Sequence, residues 1–223
     1  SDTTNFGNLP WREVFTDSQL QTLIEQGLAN NTDLQTAILK VKEAQAALMT
    51  SRLAYAPMLG LSPQGTISSF DKSAATKTYS LPVTASWELD LFGNLLNAKR
   101  GSQVALLQTK AYRQAVQTQI ISGIANTYYT LLMLDKQLEI SEQTADVMKR
   151  NVETMRAMKD AGMTNAAAVA QSEAAYAQVI ASLPAIRQSI REAENALCML
   201  LRQAPQAIKR STLEEQQLPT QFS

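Results

Sequence analysis

Histidine is absent from this sequence of 223 residues. That removes the commonest general base and the commonest metal ligand together. Cysteine occurs once, as Cys198 within Ala196-Leu197-Cys198-Met199-Leu200. There it reads as a small buried hydrophobe, and a lone cysteine forms no internal disulfide. Net charge is also lacking, because 20 basic side chains balance 20 acidic ones. With no basic patch interleaved with aromatics, nucleic acid is excluded as a partner. No stretch approaches the run of about 18 apolar residues that a membrane helix needs. The opening Ser1-Asp2-Thr3-Thr4-Asn5 has no basic region leading into an apolar one, so no signal peptide is expected there. Glu88 and Asp90 lie two apart, but no metal motif, Gly-rich phosphate loop or nucleophile elbow accompanies them. Catalysis is set aside: catalytic, cofactor-binding and metal-ligating residues are all expected to be none.

Proline is missing from Asn94 to Ala161. The spacing predicts one continuous helix there, which at about 1.5 Å per residue is about 100 Å long. Its second half carries Leu131, Leu134, Leu138, Ala145, Met148, Val152 and Met155. With Ser141 as the polar member, the spacing alternates between 3 and 4, the seam of a coiled coil. A second seam, Val169, Ser172, Tyr176, Val179, Leu183, Ile186, Ile190, Ala193, Leu197 and Leu200, follows the turn Ala161-Gly162-Met163-Thr164-Asn165. Gly162 suits a left-handed C-cap, and Thr164 or Asn165 an N-cap. Pro184 falls inside the second helix and predicts a kink, since the heptad phase survives across it. Folding at Gly162 places Met155 opposite Val169, Met148 opposite Tyr176 and Leu200 opposite Ile124. Leu131, Leu138, Met148 and Leu183 are expected to be buried.

Upstream, Thr16-Asp17 starts a short amphipathic helix with Leu20, Leu23, Ile24 and Leu28. Thr32 or Asp33 is expected to cap the next helix, whose face is Leu34, Ala37, Val41, Ala44, Leu48, Ser51 and Tyr55, ending before Pro57. This helix and the one after Gly162 have a combined length of about 63 residues, so stacked end to end they match the long helix. The expectation is a rod.

Between Met58 and Phe92 the period changes to 2. Tyr79, Leu81, Val83, Ala85, Trp87, Leu89 and Leu91 alternate with Ser80, Pro82, Thr84, Ser86, Glu88 and Asp90. That predicts a strand of about 13 residues with one apolar face, long enough to cross a bilayer. A weaker partner, Leu59 to Phe70, places Leu59, Leu61 and Ile67 on one face. A two-stranded hairpin is not stable alone, so its sheet must be completed elsewhere.

Four segments then acquire a joint meaning: Trp11-Arg12-Glu13-Val14-Phe15-Thr16-Asp17, Leu28-Ala29-Asn30-Asn31-Thr32-Asp33-Leu34, Trp87-Glu88-Leu89-Asp90-Leu91-Phe92-Gly93 and Ala161-Gly162-Met163-Thr164. In this order and spacing the chain resembles the first repeat of the TolC-like outer membrane efflux proteins, in their OprM-like lipoprotein branch. The resemblance implies a mainly α fold: long-helix coiled-coil hairpins of an α-barrel, plus a two-stranded β-hairpin from a transmembrane β-barrel. It divides the chain into an N-terminal segment with a short helix (1–32), a periplasmic helical-barrel repeat (33–56 plus 94–202), a transmembrane hairpin (57–93) and a linker to a second repeat (203–223). Signal, lipid-bearing cysteine and second repeat are expected to be missing.

What the resemblance implies for function is a passive exit duct for drugs or other small molecules, in the bacterial outer membrane with a periplasmic extension. The full-length protein would be a homotrimer, partnered by a periplasmic adaptor, an inner-membrane pump and outer membrane lipid. Lys159, Asp160, Ala161, Gly162, Met163, Thr164 and Asn165 would form the adaptor-binding tip, with Ala168 where the family commonly has an aspartate. Tyr79, Leu81, Val83, Ala85, Trp87, Leu89 and Leu91 would face lipid, and Glu88 and Asp90 the lumen or barrel end. The competing reading is a coiled-coil scaffold without a transport role, which has no need of a long half-apolar strand.

Overall fold

The computed structural model describes residues 11–68, 76–90 and 92–216. In chain order the elements are α1 (Trp11–Val14), α2 (Ser18–Asn30), α3 (Thr32–Leu53), β1 (Met58–Leu61), β2 (Gln64–Ser68), β3 (Thr76–Ser80), β4 (Val83–Ser86), α4 (Asn94–Asp160) and α5 (Ala166–Leu201). The proline-free stretch is thus one helix of 67 residues. The described residues fall into two compact units: Gln35–Gln114 is one, and the residues up to Leu34 with those from Ala115 onward are the other.

In the latter unit the predicted seams face inward. On α4, Leu131, Ala145 and Val152 are buried and the intervening Leu134, Leu138, Ser141, Met148 and Met155 are half-buried. On α5, Val169, Ser172 and Leu197 are buried and every other seam position is half-buried. Of the four residues expected to be buried, Leu131 is fully so, while Leu138, Met148 and Leu183 are only half-covered. A pair of helices covers one side of a seam, and a third neighbour is needed to close the other. The register holds over distance. Arg156 pairs with Glu173 at 2.7 Å and Arg187 with Glu142 at 2.8 Å, two heptads apart on each helix. A methyl group added at Gly123 would lie 3.7 Å from Leu200, as the predicted folding at Gly162 requires. Pro184 lies within α5 without ending it.

The densest packing lies where α2 meets α4 and α5. Leu20, Ile24, Ile124, Tyr128, Leu131, Leu197 and Leu201 have no exposure there, and Cys198 is buried beside them. Each aliphatic side chain so buried contributes about 1.5–3 kcal/mol relative to exposure. Gly27 permits the close approach: a Cβ there would stand 2.3 Å from Cδ1 of Ile124.

Three local expectations need correction. Neither Thr32 nor Asp33 caps α3. Asn31 does, its Oδ1 accepting from the N–H groups of Asp33 (2.9 Å) and Leu34 (3.0 Å), while its own N–H donates to Gly27 at the end of α2. The strand expected from Tyr79 to Leu91 is interrupted at Leu81-Pro82 and ends at Ser86; Leu91 lies outside the described residues. Proline has no N–H for the ladder, and Pro63 lies across from the break. The two ladders, β1 with β4 and β2 with β3, nevertheless keep one antiparallel register, Leu61 opposite Val83 and Gln64 opposite Ser80. Ser62 N–H donates to Pro82 O at 3.2 Å inside the gap. Finally, the segment read as linker is irregular but anchored from Gln203 to Gln216. Ile208 is buried, and Arg210 reaches Asp135 and Glu194 with a side chain only 14% exposed.

Candidate functional site

The turn from Ala161 to Asn165 is built by backbone geometry. α4 ends with Gly162 at φ +74°, its N–H donating to Lys159 O at 2.9 Å, while Met163 N–H donates to Met158 O at 2.8 Å. This pair of bonds is a Schellman motif, and it needs a residue tolerant of the left-handed region. Asn165, not Thr164, starts α5, accepting from Ala168 N–H at 2.9 Å. Lys159, Asp160, Ala161, Gly162, Met163 and Asn165 are exposed and Thr164 half-buried; Met163 is 72% exposed on a turn with no apolar cover.

The hairpin presents the second candidate surface. Tyr79, Leu81, Val83 and Ala85 share a face with Leu59, Leu61 and Ile67 across the ladder, and all are exposed. The reverse face carries Gln64, Thr66, Thr78, Ser80, Thr84 and Ser86. Trp87 and Leu89 are exposed beyond the strand. Trp87 donates its indole N–H to Tyr55 O at 3.1 Å. Asp90 has a task the sequence reading missed: its two oxygens accept from Leu95 N–H (3.1 Å) and Leu96 N–H (2.8 Å), capping α4 rather than extending a strand face. Glu88 is exposed in the same segment.

A polar junction that spacing did not reveal joins distant parts of the chain. Asp17, the N-cap of α2, accepts from Tyr128 O–H (2.6 Å), Gln216 Nε2 (2.8 Å), Ser211 Oγ (3.0 Å) and Gln19 N–H (2.8 Å). Burial alone would raise its pKa, but these bonds outweigh burial and hold the carboxyl below its ordinary value. Tyr128 is pushed up to about 12 by burial and by its bond to Asp17, so it remains a donor. Its oxygen also accepts Ser211 N–H at 3.1 Å. The only signal in the sequence was the capping residue itself. Nearby, Gln19, Gln26, Gln203 and Gln206 line an open cleft of about 340 Å³. Among the described residues no cluster of three or more His, Cys, Asp or Glu could hold a metal, and no helix is long and apolar enough to cross a membrane.

The family model for outer membrane efflux proteins matches residues 23–201. The chain belongs to this outer membrane efflux protein family. Its location is that of the family, the outer membrane, with a periplasmic helical portion. The cation efflux system protein CusC of Escherichia coli O157:H7 is 30% identical over 98% of this chain and 49% of its own length. The pyoverdine export outer membrane protein OpmQ of Pseudomonas aeruginosa is 28% identical over 89% and 44%. A crystal structure of CusC superposes with a TM-score of 0.74 at 27% identity, over 98% of this chain and 53% of that one. The outer membrane protein VceC of Vibrio cholerae gives 0.71 at 26% identity, over 87% and 49%. The chain thus spans about half the length of the relatives it matches.

Proposed function

We propose that this chain is one repeat of a passive exit duct in a tripartite efflux system. The full-length protein is a homotrimer whose hairpins complete a β-barrel through the outer membrane and whose long helices line a periplasmic tunnel. The exposed turn Lys159–Asn165 meets a periplasmic adaptor, which joins the duct to an inner-membrane pump. The cargo is a small molecule or ion that crosses without chemistry, so no cofactor is required. The relatives' names include cations for CusC, pyoverdine for OpmQ and toluene for TtgC, and the duct reading fits all of these classes.

The observation that carries this reading is the hairpin's two-sidedness. Its apolar face is solvent-exposed, with Tyr79 at 77% and Val83 at 70%, while its other face is polar apart from Met58 at the end of β1. An alternating strand pair with no described residue packed on its apolar face suits a lipid-facing wall. A scaffold of helices alone would leave that face unexplained. The test is export by cells lacking their own outer membrane channel and supplied with the full-length protein, combined with crosslinking from Met163→Cys. Restored export with adaptor crosslinks at that position supports the duct. Export that survives Gly162→Val, with adaptor crosslinks mapping elsewhere, overturns the tip assignment.

A further inference from the structure

The balanced charge of the chain hides an asymmetry. The helical residues 35–53 and 94–114 hold seven Lys and Arg against a single acid, Glu43. Three of these cations gather where the helices meet the hairpin. Arg52 is the penultimate residue of α3, and Lys99 and Arg100 lie in the second turn of α4. Ser51 and Ser102, whose hydroxyl oxygens are 2.8 Å apart, set the two helices level at this point. Arg52 and Arg100 are exposed, and the Lys99 ammonium stands 5.7 Å from the centre of the Tyr55 ring. Tyr55 in turn accepts, at its carbonyl, the indole N–H of Trp87, whose side chain is 65% exposed.

Two acids lie nearby. Asp90 is occupied by the backbone N–H groups of Leu95 and Leu96. Glu88 is exposed and subtracts one charge, leaving the cluster net positive. Aromatic side chains at the end of a lipid-facing stripe, with cations one or two turns beyond, match the headgroup layer: the rings sit at its depth and the cations reach its phosphates.

We propose that Arg52, Lys99 and Arg100, framed by Tyr55 and Trp87, form a collar that binds the phosphates of anionic lipid headgroups where the hairpin enters the bilayer. The collar rests on the lipid-facing reading of the hairpin. Lipid is favoured over an acidic protein because the cluster is continuous with the apolar stripe through Trp87.

The experiment uses full-length protein in nanodiscs of phosphatidylethanolamine with and without phosphatidylglycerol, reading the lipid retained around inserted molecules. Wild type should enrich phosphatidylglycerol, and the enrichment should fall as salt is raised. The triple variant Arg52→Gln, Lys99→Gln, Arg100→Gln should lose it, by about five-fold for each cation removed. The charge-retaining variant Arg52→Lys, Arg100→Lys should keep it. Inorganic phosphate added to detergent-solubilised wild type should give no measurable stabilisation, identifying the lipid as the source. Inserted wild type without phosphatidylglycerol enrichment, or a triple variant that keeps it, overturns the collar and leaves the hairpin reading standing. Loss of adaptor crosslinking in the triple variant with headgroup preference intact would likewise overturn it, in favour of an acidic protein surface. If Val83→Arg protein inserts as wild type does, the hairpin reading fails and the collar falls with it.

Discussion

Tyr128 donates its hydroxyl proton to Asp17 at 2.6 Å, across 111 residues of sequence. The same tyrosine oxygen accepts from the backbone of Ser211. The start of α2, the middle of α4 and the irregular segment after α5 are therefore tied at one carboxylate. Tyr128→Phe keeps the ring but leaves Ser211 N–H without its acceptor and Asp17 with one donor fewer. The expected loss is about 1–3 kcal/mol in chemical denaturation. Asp17→Ala should cost more, because three further donors lose a charged partner.

The same junction sets a pH signature. A carboxyl held below its ordinary value of 3.8 in the fold stabilises fully above that pH and loses its contribution as pH falls through the lowered value. Asp17→Asn should therefore be less stable than wild type at neutral pH, and the gap should close as the pH drops below 3.8. On the alkaline side the sign reverses, since Tyr128 is raised: its contribution is intact up to its ordinary 10 and is lost as pH climbs to about 12. Denaturation midpoints across pH check both limbs. A gap between wild type and Asp17→Asn that is independent of pH would remove the carboxylate from this role.

Gly27 yields a packing test. Gly27→Ala would place its methyl group against Cδ1 of Ile124, which has no exposure and little room to move. Overpacking of this kind costs about 1–3 kcal/mol. Ile124→Val removes the clashing atom, so the double variant should regain part of the loss. A double-mutant cycle with zero coupling would show that α2 adjusts by shifting instead.

What could be read from the sequence divides along physical lines. A seam is local: the side chains at 3 and 4 spacing turn to one side of a helix whatever else the chain does. All seam positions from Leu131 to Met155 and from Val169 to Leu200 are accordingly covered or half-covered. Alternation likewise gave the hairpin's faces, because it reports side-chain direction. It did not report hydrogen bonding, so the interruption at Pro82 was passed over. The polar junction was least legible. Asp17 looked like a helix start and is one, but Ser211 and Gln216 reach it from 194 and 199 residues away, with no periodicity to announce them. The 203–216 segment looked free for the same reason: its anchors are single polar side chains such as Arg210, not an apolar stripe.

The Gly162 turn separates backbone strain from crowding. Nothing lies within 4 Å of a Cβ built there, so any penalty comes from φ +74° alone. A β-branched residue is poorly tolerated in that region, whereas asparagine enters it readily. Gly162→Val should loosen the last turn of α4 at a cost of about 1–2 kcal/mol, seen as faster amide exchange at Met163 and Gly162→Val's own amide. Gly162→Asn should exchange nearly as wild type. If adaptor crosslinking from Met163→Cys follows the same order, falling with valine and surviving with asparagine, the turn's shape is what the adaptor reads.

The hairpin gives the sharpest contrast, because two residues of one strand pair should answer oppositely to the same change. Val83 stands on the exposed apolar face opposite Leu61, while Thr78 stands on the polar face opposite Thr66. On the lipid-facing reading proposed above, Val83→Arg in the full-length protein would place a guanidinium against hydrocarbon, at a cost of about 2–4 kcal/mol near the bilayer midplane. On the same reading Thr78→Arg would place it on the opposite face, toward a polar barrel interior, at little cost. Folded protein recovered from outer membranes should therefore fall with Val83→Arg and hold with Thr78→Arg. Equal loss from both would mean that the two faces are buried alike, as in a soluble sandwich, and equal recovery would mean that neither meets lipid. Only the asymmetric result fits a strand pair with one face in the bilayer.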